Sequence, residues 1–367
     1  MDTDPAQCID LPTISAWFAD ALPDLGRPVR VQTLDGGRSN LTFRLELDDG
    51  AAVVLRRPPM AGVLESAHDV EREYRVLAAL TGHGIPVPRP LAYCADPAIA
   101  GAPFFVMEFV AGTTLRFPRD ARDVPAQAAG RIGEMLAETL ADIHGVDVTA
   151  VGLGDLGRAD GYLRRQLRRW TDHWERTSHA STDAETELWF ARLTTRLERR
   201  VPERSEACLL HGDYRLDNVI VRLAGPRIAA VLDWEMSTLG DPMADLGLAL
   251  VHWSVLEELR REGVPLAASA VAEPAFGSGA DFARRYAARS GRDLDELDFY
   301  LAFGCMKLAA VLSGVIARAA QGSGIAGEPG YPAAIPALIR RAHAFLDDPG
   351  GGLTAPPGPD NISTLTN

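Results

Sequence analysis

Lysine is nearly absent from this chain. Lys307 is the only one, so 36 of the 37 basic residues are arginine, and a site that requires a cation must nearly always take it from arginine. Positive charge is scarce as well: 50 acidic residues outnumber the basic ones for a net charge of −13. A surface of that sign repels phosphate backbones and anionic lipid, so neither nucleic acid nor a membrane is expected as a partner. Cysteine is sparse, and Cys8, Cys94, Cys208 and Cys305 form no C-x-x-C pair. That spacing suggests neither a disulfide framework nor a cysteine zinc site, and it suits a reducing, cytoplasmic compartment. The first ten residues, MDTDPAQCID, are acidic where a secretory leader is basic and then apolar, so secretion is not expected. Long apolar runs are also lacking. The longest, Leu301 to Ala317, carries Lys307 near its middle and falls short of a bilayer span, which makes it a buried helix.

What is present describes a soluble globule. The 367 residues are enough for two lobes with their own cores, and 47% hydrophobic against 24% charged residues is an ordinary globular balance. From 29 to 56 the runs VRVQTL, LTFRLEL and AAVVLR alternate with DGGRSN and DDG, the pattern of an antiparallel meander. A helical period follows from Ser66 to Thr81, with Val70, Tyr74, Leu77 and Leu80 on one face, and GHGIPVPRP ends it. Strands are predicted near 89–94 and in PFFVMEF. Beyond Gly112 the chain reads as helices over 124–145, 158–178, 181–200, 242–263, 278–290, 294–320 and 331–347. A β-rich island of CLL, NVIVRL and IAAVL interrupts them at 207–233. The tail 348–367 is Gly, Pro and polar, a composition that predicts disorder. The reading is an α+β chain with an N-terminal lobe over 1–110 and a mainly helical lobe over 111–347.

The most informative stretch is LLHGDYRLDNVIVRLAGPRIAAVLDWE. If 219–223 and 228–232 are the arms of a hairpin around AGPR, Asn218 and Asp233 lie equally far from its centre and face each other. Cross-strand partners sit about 5 Å apart at Cβ, close enough for an amide and a carboxylate oxygen to hold one hard cation such as magnesium. Asp213 lies on the loop leading into the hairpin, the place for a base acting on a substrate hydroxyl. Phosphoryl transfer needs such a base, a divalent ion on the phosphates and a cation to offset charge. Taken singly, these residues suit turns and a helix cap equally well. The hairpin spacing of DWE and the following GDPMADLG argue against coincidence.

HGDYRLDN followed by LDWEMSTLGDPMADLG resembles the aminoglycoside phosphotransferase family of small-molecule kinases, related in fold to choline kinase and the protein kinases. The resemblance covers residues 30 to 345. It implies a bilobal protein-kinase-like fold with an antiparallel-sheet N-lobe and a mainly helical C-lobe. It also implies that Asp213 is the catalytic base, that Asn218 and Asp233 bind magnesium, and that His211 and Asp245 brace the catalytic loop, with Asp241 helping to order the site.

The same resemblance organises the N-terminal meander. DGGRSN by itself suits an ordinary hairpin turn as well as a phosphate loop; within the family, Ser39 and Asn40 are the phosphate-side contacts. Kinases of this fold pair a basic residue on the third strand with a glutamate on the next helix. Here Arg56 stands where the family often has lysine, and E-x-x-x-L-x-x-L leading to G-I-P-V-P selects Glu73 rather than Glu71. Arginine also holds phosphate oxygens and stays charged, so the role can survive the change. PFFVMEFVAG resembles the hinge strand, which places Met107 behind the adenine pocket and gives the purine the Glu108 carbonyl and the Val110 amide. ATP is the expected nucleotide, and the spacing does not discriminate it from GTP.

The expected partner is a small molecule with a hydroxyl acceptor. Glu235, Glu257, Glu258, Glu262 and Asp281 offer charge to a polycationic aminoglycoside, although exposed helical faces are commonly acidic. A sharper resemblance points elsewhere. LRRPPMAGVLESAHDVEREYRVLAAL and CADPAIAGAPFFVMEFVAG resemble the phosphotransferase branch found fused to acyl-CoA dehydrogenases, which implies a hydroxyacyl or other metabolic acceptor. A nucleotide-binding pseudokinase with a regulatory role would predict loss of the base or a metal ligand, and Asp213, Asn218 and Asp233 are all present.

Overall fold

The structure, a computed structural model, describes residues 9–34, 40–59, 70–203, 206–322, 328–348 and 350. Ser39, the first turn of the helix expected from Ser66 and nearly all of the tail beyond Asp348 lie outside the described residues. By their contacts the described residues fall into two units. The first comprises residues up to Thr114 together with Val146–Leu156 and Asp217–Thr238; the second comprises Leu115–Gly145, Gly157–Leu216 and the residues from Leu239 on.

The first unit is built on an antiparallel sheet of β1 (Pro28–Thr33), β2 (Leu41–Leu47), β3 (Ala52–Arg57), β4 (Pro90–Cys94) and β5 (Phe104–Glu108), in the order β1-β2-β3-β5-β4. Along β2 the buried Phe43, Leu45 and Leu47 alternate with less buried neighbours, the period of two that a sheet with one packed face requires. The inner strand β3 is buried from Val53 to Arg57, in keeping with its continuous VVL run. Ile14 and Phe18 of α1 (Leu11–Ala21) join Phe43, Leu45, Leu55, Phe104 and Val106 in one core. That helix was not among the expected elements. α2 (Val70–Leu80) turns Val70, Glu73, Val76, Leu77 and Leu80 inward. Tyr74, expected on the same face, packs its ring against Tyr93 and Phe105. The short α3 (Pro97–Ala100) is capped by Asp96, whose carboxylate accepts from the Ala98 amide at 2.9 Å.

Shorter strands follow: β6 (Thr113–Thr114), β7 (Cys208–Leu210), β8 (Val219–Arg222), β9 (Arg227–Val231) and β10 (Thr238–Gly240). β6, β8 and β9 form a second antiparallel sheet of the first unit. The 217–238 hairpin thus groups with the N-terminal sheets although the chain order sets it among helices. Backbone pairing is the cause: Thr113 pairs with Val221, and the Val231 amide donates to the Pro86 carbonyl at 2.7 Å.

The second unit is mainly helical, with α4 (Pro118–Ala121), α5 (Ala126–His144), α6 (Tyr162–Thr177), α7 (Ala184–Arg199), α8 (Pro242–Leu250), α9 (Leu256–Arg261), α10 (Gly279–Ser290), α11 (Leu297–Ala320) and α12 (Tyr331–Asp347); β7 and β10 pair within it. The single helix expected over 242–263 is divided, because a π-helical turn, Val251–Val255, separates α8 from α9. α11 is long and apolar enough to cross a membrane by length and composition, but 78% of its most apolar window is buried inside the protein. It serves as the central core helix. α8 lies close against it because Gly247 has no side chain: a Cβ there would meet the Tyr300 carbonyl oxygen at 2.4 Å.

Candidate active site

Two groups of polar side chains stand out, one in each unit. In the first unit Arg56 lies one residue before the end of β3, and its guanidinium is buried among carboxylates. Its Nε donates to Glu73 Oε2 at 2.8 Å, and its second arm reaches Asp233 and lies 3.9 Å from Glu235. Desolvation acts against the arginine's charge, but Glu73, Asp233 and Glu235 outweigh it and hold its pKa above the ordinary value. Burial pushes the Glu73 carboxyl upward; the Arg56 guanidinium opposes that and the Asp233 carboxylate adds to it. Glu71 on the same helix is exposed. The choice of Glu73 therefore agrees with which of the two turns inward.

Asn40, buried at the start of β2, donates from Nδ2 to Glu235 Oε2 at 3.0 Å, while its Oδ1 is buried with no hydrogen-bond partner among the described residues. Arg72 was not foreseen. From α2 it donates to the Ser237 carbonyl, at 3.0 Å through Nε, and to the Leu156 carbonyl, so the helix that carries Glu73 is tied to the turn that follows Asp233.

The hairpin departs from its expected register. Val219 pairs with Val231, and the register shifts between Ile220 and Val221, so β9 carries an extra residue. Asn218 consequently faces Leu232, whose amide donates to the Asn218 carbonyl at 2.8 Å, and Asp233, the expected partner, lies one residue beyond that position. Asp233 is the only non-glycine with positive φ among the described residues, at φ 66° and ψ 58°. This left-handed residue opens the 3-10 turn Trp234–Met236. A non-glycine in that region is uncommon, and aspartate is among the residues that tolerate it best.

On the neighbouring strand Met107 is buried in β5, opposite Val54 of β3. The Glu108 amide is taken by the Arg89 carbonyl at 2.9 Å. Val110 lies beyond the strand and is half-buried.

In the second unit, the loop after β7 is held by Asp245 of α8. Its carboxylate accepts the His211 amide at 2.7 Å and the Gly212 amide at 2.9 Å, one on each oxygen, and His144 Nε2 approaches it at 3.3 Å. Gly212 sits at φ 87°, a conformation that glycine adopts without strain. Its carbonyl accepts from the ammonium of Lys307 at 3.0 Å. The chain's only lysine thus leaves the middle of α11 for this loop. Burial pulls its pKa down, while Asp245 and Asp213 favour the charged form. His211 is fully buried, and its Nδ1 receives the Asp213 amide at 3.3 Å. Asp241 caps α8 through the Met243 amide at 2.9 Å and accepts the Tyr300 hydroxyl at 2.9 Å.

Asp213 itself is partly exposed. One of its oxygens lies 3.3 Å from Arg215 Nε and the other 4.0 Å from His252 Nε2. Burial would raise this carboxyl, but Arg215, His252, His211 and Lys307 outweigh it and hold Asp213 below the usual carboxylate range. It is a carboxylate fixed at its backbone and kept ionised, able to accept a proton.

Arg56, Glu73, Asp233 and Asn40 are thus joined in one network, and His211, Asp213 and Asp245 in another. Sequence reasoning missed Lys307, Arg215, His252, Glu235 as a partner of Asn40, and Arg72. Lys307 did carry a signal, a lone charge inside an apolar helix. The acidic residues read as a possible polycation surface are committed elsewhere. Glu257 holds Arg260 at 2.7 Å and 2.5 Å, Glu258 and Glu262 both hold Arg341, and Asp281 holds Ser278 and Arg284.

Comparison with known proteins places this architecture. Residues 30–300 match the model of the phosphotransferase enzyme family, and the chain belongs to that family. The chain has the family's kinase-like fold of an antiparallel-sheet unit and a mainly helical remainder, and its membership supports a small-molecule kinase. Among curated relatives, acyl-CoA dehydrogenase family member 11 of Rattus norvegicus is 34% identical over 336 residues, covering 87% of this chain and 41% of the relative. The Gallus gallus protein of the same name is 38% identical over 294 residues, covering 78% of this chain and 36% of the relative. The chain therefore spans about two fifths of the length of these relatives.

Among solved structures, a Ralstonia eutropha protein provisionally assigned as an aminoglycoside phosphotransferase superposes with a TM-score of 0.76 at 30% identity, covering 92% of this chain and 98% of that one. A GDP complex of aminoglycoside 2'-phosphotransferase-IIIa gives a TM-score of 0.63 at 16% identity, covering 91% and 99%. Macrolide 2'-phosphotransferase type I gives 0.57 at 20% identity, covering 90% and 98%. At those two identities the likeness is one of fold.

Proposed function

We propose that this chain transfers the γ-phosphoryl group of a magnesium-bound nucleotide, ATP or GTP, to a hydroxyl of a small molecule. The observation that carries the reading is Asp213, whose carboxyl is held below the usual carboxylate range against its burial, by Arg215 foremost, on a loop whose amides are bound by Asp245. In this scheme the acceptor hydroxyl donates a hydrogen bond to Asp213. As its oxygen bonds to phosphorus and the bond to the leaving nucleotide diphosphate breaks, its proton passes to the carboxylate. His211 keeps the loop in shape by accepting the Asp213 amide.

The nucleotide side would be held by Arg56, fixed by Glu73, with Ser39 and Asn40 toward the phosphates, Met107 behind the base, and the Glu108 carbonyl and Val110 amide at its edge. Magnesium would be held by Asn218 and Asp233. Among the described residues no group of three or more His, Cys, Asp or Glu is arranged to hold a metal. An amide and a carboxylate oxygen nevertheless suit a hard cation that keeps several waters and completes its shell with phosphate oxygens. Asn40, whose Nδ2 donates to Glu235, offers in its Oδ1, buried and without a hydrogen-bond partner among the described residues, a further oxygen in the network that contains Asp233. When bound, the ion would offset charge on the phosphates.

For the acceptor, the arginine pairing of Glu257, Glu258 and Glu262 favours a metabolic hydroxyl, such as that of a hydroxyacyl-CoA thioester, over a polycationic aminoglycoside. The acyl-CoA dehydrogenase relatives support the same preference. The test is nucleotide consumption with magnesium across hydroxyacyl-CoA thioesters and aminoglycosides. Asp213→Asn is expected to lower acceptor-dependent turnover by about a thousandfold and to leave nucleotide affinity, read by calorimetry, within about twofold. Full turnover in that variant would remove Asp213 from the base role. Tight nucleotide binding without turnover on any acceptor would favour a regulatory pseudokinase.

A further inference from the structure

The π-helical turn Val251–Val255 sets His252 beside Asp213. Such turns insert one residue into a helix and recur at functional sites because they re-aim a side chain. His252 is neither surface nor core, with a side chain 15% exposed, and its Nε2 lies 4.0 Å from Asp213 Oδ1. That separation is too long for a hydrogen bond and suits one intervening oxygen. An atom about 2.8 Å from each end closes a triangle over it, at ordinary hydrogen-bond lengths. Arg215 Nε approaches the opposite carboxylate oxygen, Oδ2, at 3.3 Å, so Oδ1 is the oxygen on the histidine side.

We propose that His252 orients the acceptor hydroxyl: its Nε2–H donates to the hydroxyl oxygen while that hydroxyl donates to Asp213 Oδ1. A hydroxyl oxygen carries one hydrogen and two lone pairs. With the hydrogen given to Asp213 and one lone pair engaged by His252, the remaining pair is the one presented to phosphorus. The proton released on transfer goes to Asp213, and His252 keeps its own throughout. The inference rests on the reading of Asp213 as the base.

The surroundings keep His252 in the form this requires. Burial lowers its pKa, Arg215 and Lys307 lower it further, and Asp213 alone raises it, with the result near 4. A neutral imidazole at physiological pH donates one N–H and does not tie up Asp213 in an ion pair.

The test uses magnesium-ATP hydrolysis, with water as the acceptor, together with the titration of the His252 ring followed by NMR. His252→Ala is expected to lower kcat by about tenfold to a hundredfold, the cost of losing orientation, with KM for ATP unchanged. His252→Gln, whose amide N–H can take the same place, is expected to recover most of the loss. Wild-type kcat in His252→Ala overturns the proposal. Wild-type kcat in Asp213→Asn overturns the base assignment instead. The titration decides even where hydrolysis is too slow to read: the expected result is an Nε2–H tautomer with a pKa of about 4 that falls further in Asp213→Asn. A ring titrating near 6.5, or one unmoved by Asp213→Asn, overturns it.

Discussion

Lys307 shows how much one side chain can hold when its alternatives are few. Its ammonium donates to the Gly212 carbonyl at 3.0 Å and lies 5.7 Å from the centre of the Trp170 ring. Lys307→Met keeps the apolar stem and removes the donor. The Gly212 carbonyl then loses its bond, at a cost of about 1–3 kcal/mol for a buried group left unpaired. The expected outcome is a lower midpoint in urea unfolding with an unchanged slope, together with a fall in turnover larger than any change in nucleotide affinity, because the loop that carries Asp213 is loosened. Arg215 and His252, which also stand around Asp213, were not legible in the sequence. Asp213 and His211 were, because they share one short motif, and Asp245 was, through GDPMADLG. His252 is delivered by an irregular helical turn and Lys307 by a helix about a hundred residues further along, and local pattern carries no record of either approach.

Elements were read well where a single period persists, as in β2 and α11, and poorly where geometry is set by a neighbour. The hairpin illustrates the limit. Counting outward from AGPR assumes a regular ladder, and one extra residue in β9 moves the partner of Asn218 from Asp233 to Leu232. α1 has a helical face but packs on the sheet through residues far away in the chain, Phe43 and Phe104 among them, and escaped notice. The meeting of α8 and α11 is likewise invisible in either segment alone. Gly247→Ala gains about 1 kcal/mol of helix propensity, but the new Cβ would stand 2.4 Å from the Tyr300 carbonyl oxygen and 2.9 Å from its Cβ. Both are well inside contact, and overpacking of this kind costs about 1–3 kcal/mol. A net loss of stability is expected. α8 carries Asp245 and is capped by Asp241, which holds the Tyr300 hydroxyl, so turnover is expected to fall with it. An alanine variant that is more stable and fully active would show that the two helices have room to separate.

At the scale of the whole molecule, the charge balance of −13 sets a field without naming a partner, because the acidic helices spend much of their charge on the chain's own arginines. The buried titratable groups have a more specific consequence, for acid stability. His144, His173, His252 and His343 all have their pKa lowered, chiefly by burial. A histidine that the fold keeps neutral binds its proton more readily when unfolded, so its contribution is complete above the unfolded value and is lost as pH falls toward the folded one. The raised carboxyls Glu73, Glu258 and Asp298 act in the opposite sense and weaken the fold as pH rises. A single-site comparison separates the two. For His252 the window runs from about 6.5, the ordinary value, down to about 4, the value in the fold. At pH 5 that difference amounts to about 2 kcal/mol relative to pH 8. His252→Gln does not titrate, so the stability of the wild type relative to this variant, measured by urea unfolding, is expected to be about 2 kcal/mol lower at pH 5 than at pH 8. A stability difference that does not change between these pH values would mean that the imidazole titrates alike in the folded and unfolded chain, and that the π-helical turn does not hold it away from water.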